Sequence, residues 1–109
     1  MLVDLEKIKI AFLNIIINAV DAMEEGKGVL CIGIQSGPNI HEVIIRDNGC
    51  GMNEEVTGRL FEPYFTSKPN GVGLGLASAN AIIQSHKGSI RVESKVNDGT
   101  TFTISLPSL

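Results

Sequence analysis

The stretch FLNIIINAVDAM, residues 12–23, sets three polar side chains into an otherwise apolar run, and their spacing decides how the chain is read. Asn14, Asn18 and Asp21 stand at i, i+4 and i+7, so on a helix they share one stripe. Around them Ile8, Ala11, Phe12, Leu13, Ile15, Ile16, Ile17, Ala19 and Val20 cover most of the circumference, which predicts a helix from Asp4 to about Glu25, buried on more than one side. Asp4 is placed to cap its start and Gly26 to close its end. Amides in such a place need partners, because an unpaired buried one costs about 1–3 kcal/mol. Either neighbouring backbone supplies them or a shared ligand does. Oxygen donors of this type suit Mg²⁺, which keeps several waters and takes few protein atoms.

Downstream, VLCIGIQ (29–35) and HEVIIRD (41–47) are β-branched runs separated by the turn residues Gly37, Pro38 and Asn39, which predicts an antiparallel hairpin. Residues 53–70 hold Gly58, Pro63 and Pro69 and read as a long loop with a short helical piece near 54–60. A loop of that length within a compact domain is either functional or a sign that an element has been misassigned. A second helix follows Gly73 and runs to about Lys87, with Leu76, Ala79, Ile82 and Ile83 on one face and Gly88 beyond it. In its last turn His86 reads as a cation facing the negative end of the helix dipole. Two alternating strands close the chain, one with Ile90 and Val92 inward and one with Phe102, Ile104 and Leu106, joined by NDG at 97–99. The order of helix, hairpin, loop, helix, hairpin predicts an α+β two-layer sandwich: a mixed, mostly antiparallel sheet covered on one face by helices.

At 109 residues the chain is the size of one domain, with no linker or repeat, and is treated as a single unit over 1–109. A net charge of −3 argues against general nucleic-acid binding, which needs clustered Lys and Arg. Cys31 and Cys50 lack metal-ligand or disulfide-framework spacing and read as reduced, buried thiols. No run is long enough to span a bilayer and no secretion signal opens the chain, so the domain reads as cytoplasmic, without membrane contact of its own.

Two further stretches bear on chemistry. NGVGLGLASAN (70–80) puts glycine at 71, 73 and 75 and runs into a helix, which suits a hinge, a tight turn, or a bare loop presenting N–H groups to a phosphate. RDNGCGM (46–52) places Asp47 at a strand end with Gly49 and Gly51 after it. That is an Asn-Gly turn, or a carboxylate that accepts from an exocyclic amine while glycines let a flat ring approach.

FLNIIINAVDAM, IIRDNGCGM, LFEPYFTSK, GVGLGLA and DGTTFTISLP resemble, in order and spacing, the N, G1, F, G2 and G3 boxes of the catalytic ATP-binding domain of sensor histidine kinases. That domain has the Bergerat fold shared with gyrase, a heat-shock chaperone and the mismatch-repair protein MutL. The resemblance implies ATP and Mg²⁺ as cofactors, with Asn18 as metal ligand and Asn14 beside the phosphates. It implies Asp47 for the adenine amine, with Gly49, Gly51 and Met52 along the ring. Phe61 and Phe65 would bound a mobile lid over about 53–70, with Lys68 reaching the terminal phosphates. Gly71, Val72, Gly73, Leu74, Gly75 and Leu76 would form the second glycine box against the triphosphate, and Thr101 a weaker contact in the last box.

Two departures from the pattern carry consequences. Relatives that hydrolyse ATP typically hold a glutamate four residues before the magnesium asparagine, where Asn14 cannot act as a base, which points away from hydrolysis. Many kinases carry a cation near position 21, so here Lys68 and Arg59 would have to supply that charge beside Asp21. His41 and Glu42 open a strand and do not continue as a phosphoacceptor helix, so the acceptor histidine is expected on a separate dimerisation domain of the same kinase, with a response regulator beyond it. The alternatives are a free-standing ATPase, an anti-sigma-type serine kinase, and a non-catalytic nucleotide-binding docking module.

Overall fold

A computed structural model describes residues 4–23, 26–63 and 75–107, so Phe65, Lys68, Gly71, Val72, Gly73 and Leu74 lie outside the described residues. Helix α1 spans Leu5–Ala22, and the Asp4 carboxylate accepts the Lys7 N–H at 3.2 Å, the expected N-cap. The helix ends three residues short of the expected boundary, with the Met23 N–H on the Val20 carbonyl at 3.1 Å. Strands β1 (Leu30–Ser36) and β2 (Ile40–Asp47) form the first hairpin, and a six-residue helix α2 (Glu54–Arg59) is the short helical piece. Helix α3 (Gly75–Ser85) leads into the second hairpin, β3 (Ser89–Lys95) and β4 (Gly99–Pro107). The residue with left-handed backbone after α3 is Lys87 (φ 63), not Gly88.

The described strands make one sheet in the order β1–β2–β4–β3. Every neighbouring pair is antiparallel, so the mixed component expected from the sequence is absent among them. β4, the last strand in sequence, is inserted beside β2 and carries β3 on its other side. Register therefore lines up inward-facing rows across three strands. Val43, Ile104 and Ile90 form one row, Ile45, Phe102 and Val92 the next, and Asp47, Thr100 and Ser94 the third. The first two rows are core, with Ile45, Phe102 and Ile104 at most 1% exposed. The third is polar and sits at the end of that core.

Helices α1 and α3 pack on each other over this face. Ala11, Ile15 and Ala19 of α1 and Ala79 and Ile83 of α3 are fully buried, and the alanines let the helices lie close. Burial of α1 on more than one side is not what forms. Ile10, Leu13, Ile17 and Val20 line a face that is about half exposed, and Ile32 and Ile34 on β1 are 54% and 72% exposed although their partners Ile45 and Val43 point into the core. β1 is an edge strand, and no described element covers that flank.

Cys31 and Cys50 are free thiols but exposed, not buried, since Cys31 shares the outer face of the sheet with Arg46 and Cys50 lies in a loop. His86, in the turn after α3, also joins two helices: its Nε2 accepts the Asp4 backbone N–H at 3.0 Å and its Nδ1 lies 2.8 Å from the Ile82 carbonyl oxygen, which ties the start of α1 to the end of α3.

Candidate functional site

Asn14, Asn18 and Asp21 emerge along α1 with graded burial. The two asparagines are half-buried, one and two turns along the side that α3 approaches, and Asp21 is exposed. Neither carboxamide makes a hydrogen bond to another described residue, and no buried side-chain polar atom among them lacks a partner. The start of α3 meets Asn14: a Cβ added at Gly75 would lie 3.8 to 3.9 Å from its side chain, an ordinary contact distance. The first N–H groups of a helix have no intrahelical acceptor and carry the positive end of its dipole, so α3 begins beside Asn14 with donors to offer.

The loop 48–52 carries the second group of expected site residues, and hydrogen bonds tie it to the rest of the protein. Asp47 is 3% exposed, and its Oδ1 accepts the Gly49 N–H at 2.8 Å. Its Oδ2 makes no hydrogen bond to a described residue and is left to accept from elsewhere. Asn48 fastens the loop to the lead-in of β1, accepting the Val29 N–H at 2.8 Å and donating to the Lys27 carbonyl at 3.0 Å. The Cys50 N–H caps the Ala22 carbonyl of α1 at 3.0 Å, the Asn97 N–H reaches the Cys50 carbonyl at 2.8 Å, and the Met52 N–H reaches Ser94 Oγ at 2.8 Å. Four segments distant in sequence, the end of α1, the lead-in of β1, β3 and the turn after it, thus converge on this loop.

This wiring gives the two glycines a reason that the sequence did not show. A side chain at Gly49 would strike the Ala22 carbonyl oxygen at 2.5 Å and Asp47 Oδ1 at 2.9 Å. At Gly51, with φ 70, it would overlap the Lys95 carbonyl in a backbone region that L side chains rarely adopt. What passes close to these bare positions is the protein's own backbone.

The remaining expected site residues divide. Met52, Phe61 and Leu76 are half-buried against the core. Arg59 pairs with Glu62 at 3.1 Å on an exposed surface. Thr101 is the cross-strand partner of Arg46, so it faces away from Asp47, and the threonine in the Asp47 row is Thr100, 5% exposed. Alternation counted from Phe102 identifies Thr100 as the inward residue, a signal present in the sequence and not used. Ser94 and Asn48 were also missed. Their roles come from register and from contacts across 42 and about 20 residues, which local pattern does not encode. No group of three or more His, Cys, Asp or Glu that could hold a metal occurs among the described residues.

Comparison with known proteins bears on this arrangement. A family model described as histidine kinase-, DNA gyrase B-, and HSP90-like ATPase matches residues 3–109. The signal transduction histidine-protein kinase AtoS of Escherichia coli (strain K12) is 41% identical over 104 residues, covering 95% of this chain and 17% of that protein. Sporulation kinase B of Bacillus subtilis (strain 168) is 39% identical over 105 residues, covering 96% of this chain and 24% of that kinase. The chain thus spans a quarter or less of these relatives' length. Among solved structures, the mycobacterial sensor histidine kinase MprB superposes with a TM-score of 0.86 at 30% identity, over 95% of this chain and 74% of that one. The catalytic domain of the histidine kinase ThkA gives 0.84 at 32% identity, over 96% and 68%. With the fold, the ordered boxes and the family model in agreement, the chain belongs to the histidine kinase-, gyrase- and HSP90-like ATPase family, as a histidine kinase catalytic domain.

Proposed function

We propose that this chain acts as one catalytic unit that binds Mg·ATP and presents the γ-phosphate to a histidine on a separate dimerisation domain of the same kinase, within a two-component system that ends on a response regulator. The observation that carries this reading is the pair of half-buried carboxamides, unpartnered among the described residues, on the α1 face that Gly75 approaches. Amides held there without partners among the described residues are matched to a ligand that brings both a cation and acceptor oxygens.

The donor chemistry fits Mg²⁺, since a single hard carboxamide oxygen from Asn18 suffices when phosphates and water complete the shell. Bound there, the ion would neutralise phosphate charge as the γ-phosphoryl leaves. Asn14 and the N–H groups at the start of α3 hold the phosphates, Lys68 neutralises the terminal one, and Asp47 takes the purine amine at the far end. Gly49 and Gly51 keep the floor of the base site close to the fold, with Met52 beside it. Phosphoryl transfer asks chiefly for positioning and charge neutralisation, and an acceptor imidazole is already a competent nucleophile, so Asn14 in place of a base is consistent with transfer rather than hydrolysis.

Calorimetric titration with ATP and ADP, with and without Mg²⁺, tests the reading. Mg²⁺-dependent binding of ATP is expected, together with only slow turnover and no label on the chain from γ-labelled ATP. Absence of binding would leave a docking module, rapid hydrolysis would favour a free-standing ATPase, and label on His41 or His86 would place the acceptor on this chain. Exchange of Lys68 for alanine is expected to reduce phosphotransfer more than ADP binding, and equal losses would assign that lysine to lid stability.

A further inference from the structure

The hydroxyls of Ser94 and Thr100 face each other across β3 and β4 at 2.7 Å, in the same inward row as Asp47. Ser94 Oγ also accepts the Met52 N–H at 2.8 Å and lies 3.1 Å from the Gly99 carbonyl oxygen. Ser94 has one proton and two acceptors for it, and the choice fixes what Thr100 offers. When Ser94 donates to Gly99, Thr100 donates to Ser94 and keeps only lone pairs for any other group. When Ser94 donates to Thr100, the Thr100 proton is released to a third partner. The first arrangement makes one more bond within the protein. The second becomes favourable once an acceptor atom arrives beside Asp47.

Resting on the nucleotide reading above, we propose that Ser94 is a positioning residue for the base. It pins the loop through Met52 and serves as proton partner to Thr100, so that the row presents the Asp47 carboxylate as acceptor next to a hydroxyl able to donate. An acceptor beside a donor complements a ring that carries an amine next to an unprotonated ring nitrogen. Ser94 touches no part of the ligand in this scheme; it acts through Met52 and Thr100.

The test separates the base side from the phosphate side. ATP and inorganic tripolyphosphate, each with Mg²⁺, are titrated into the parent chain, Ser94→Ala and Ser94→Thr, and amide exchange at Met52 is followed without nucleotide. Ser94→Ala is expected to lower ATP affinity about tenfold, to leave tripolyphosphate affinity unchanged and to expose the Met52 amide to exchange, while Ser94→Thr restores all three. Unchanged ATP affinity in Ser94→Ala, or equal losses for both probes, would overturn the proposal, because a general loss of structure would weaken both. A parent that binds neither probe would sink the nucleotide reading, and Met52 exchange alone would then decide the pinning: continued protection in Ser94→Ala overturns it.

Discussion

The two walls of the site are built in opposite ways. The loop after β2 has its glycines packed under protein carbonyls, and Asp47 Oδ1, Asn48, Cys50 and Met52 are tied to α1, β1, β3 and the last turn. The wall made by α1 and the start of α3 has two half-buried carboxamides with no bond to any described residue. One wall is finished by folding and, on the proposed reading, the other by what binds. On that reading rigidity on the base side would supply orientation, since a preorganised acceptor loses little on binding. Unused donors and acceptors on the phosphate side would let a hydrated, highly charged group choose its own coordination. The contrast makes a separable expectation: changes that break the internal contacts of the first wall should disturb stability and affinity together, and changes to groups left unbonded should alter affinity alone.

Gly51→Ala breaks the finished wall and carries the largest expected effect. A left-handed backbone costs a residue with a side chain about 1–3 kcal/mol, and here the added carbon also overlaps the Lys95 carbonyl, so a loss of about 3 kcal/mol or more is expected. Denaturant unfolding would show this as a lower midpoint with nucleotide affinity falling alongside. Gly58→Ala is the matched control, because that glycine lies within α2 with nothing within 4 Å of the added carbon. A gain of about 0.5–1 kcal/mol is expected there. If Gly51→Ala were as stable as the parent, the packed-carbonyl account of this loop would fail.

Asp47→Asn sharpens the contrast at one atom. The amide oxygen can still accept the Gly49 N–H, so the loop keeps its internal bond while the charge directed at the ligand is removed. A hydrogen bond to a charged group contributes about 1.5–3 kcal/mol, which corresponds to a loss of ATP affinity of about 10- to 100-fold with the unfolding midpoint little moved. Calorimetry and thermal unfolding on the same sample read both. Equal ATP affinity would remove Asp47 from the base contact.

Much of this division was legible in the chain and some was not, for a physical reason. Hydrophobic periodicity located α1, α3 and all four strands, because the 3.6 and 2.0 repeats are local properties. The helical repeat that buries Ala11, Ile15 and Ala19 also exposed the polar stripe of Asn14 and Asn18 as an anomaly. Periodicity reports which side chains are apolar, though, and not whether anything lies over them. The half-exposed face of α1 therefore contradicted the expectation of a helix buried on more than one side, and the open flank at Ile32 and Ile34 of β1 was not foreseen. The wiring of the base wall was hidden for a related reason. Ser94 looks like any strand serine until β4 is inserted between β2 and β3, whereas Thr100 was readable as the inward threonine from the alternation of β4, and only its place opposite Asp47 needed the register.

Asn18→Ala has the smallest expected effect on the fold and asks most of the contrast. Removing the carboxamide costs no hydrogen bond among the described residues, and alanine is the better helix former. Stability should therefore stay level or rise by about 0.5 kcal/mol, in contrast to the destabilisation expected at Gly51. Affinity for ATP without Mg²⁺ should stay near that of the parent, because the base contact at Asp47 is untouched. The gain in affinity on adding Mg²⁺ should shrink, since the one protein oxygen assigned to the ion is gone. Titrating Mg²⁺ at fixed ATP against parent and variant reads this difference directly. A Mg²⁺ curve identical to the parent's would strip Asn18 of its metal role. A marked loss of stability would mean that the carboxamide is engaged within the fold after all, and the two walls would not differ as described.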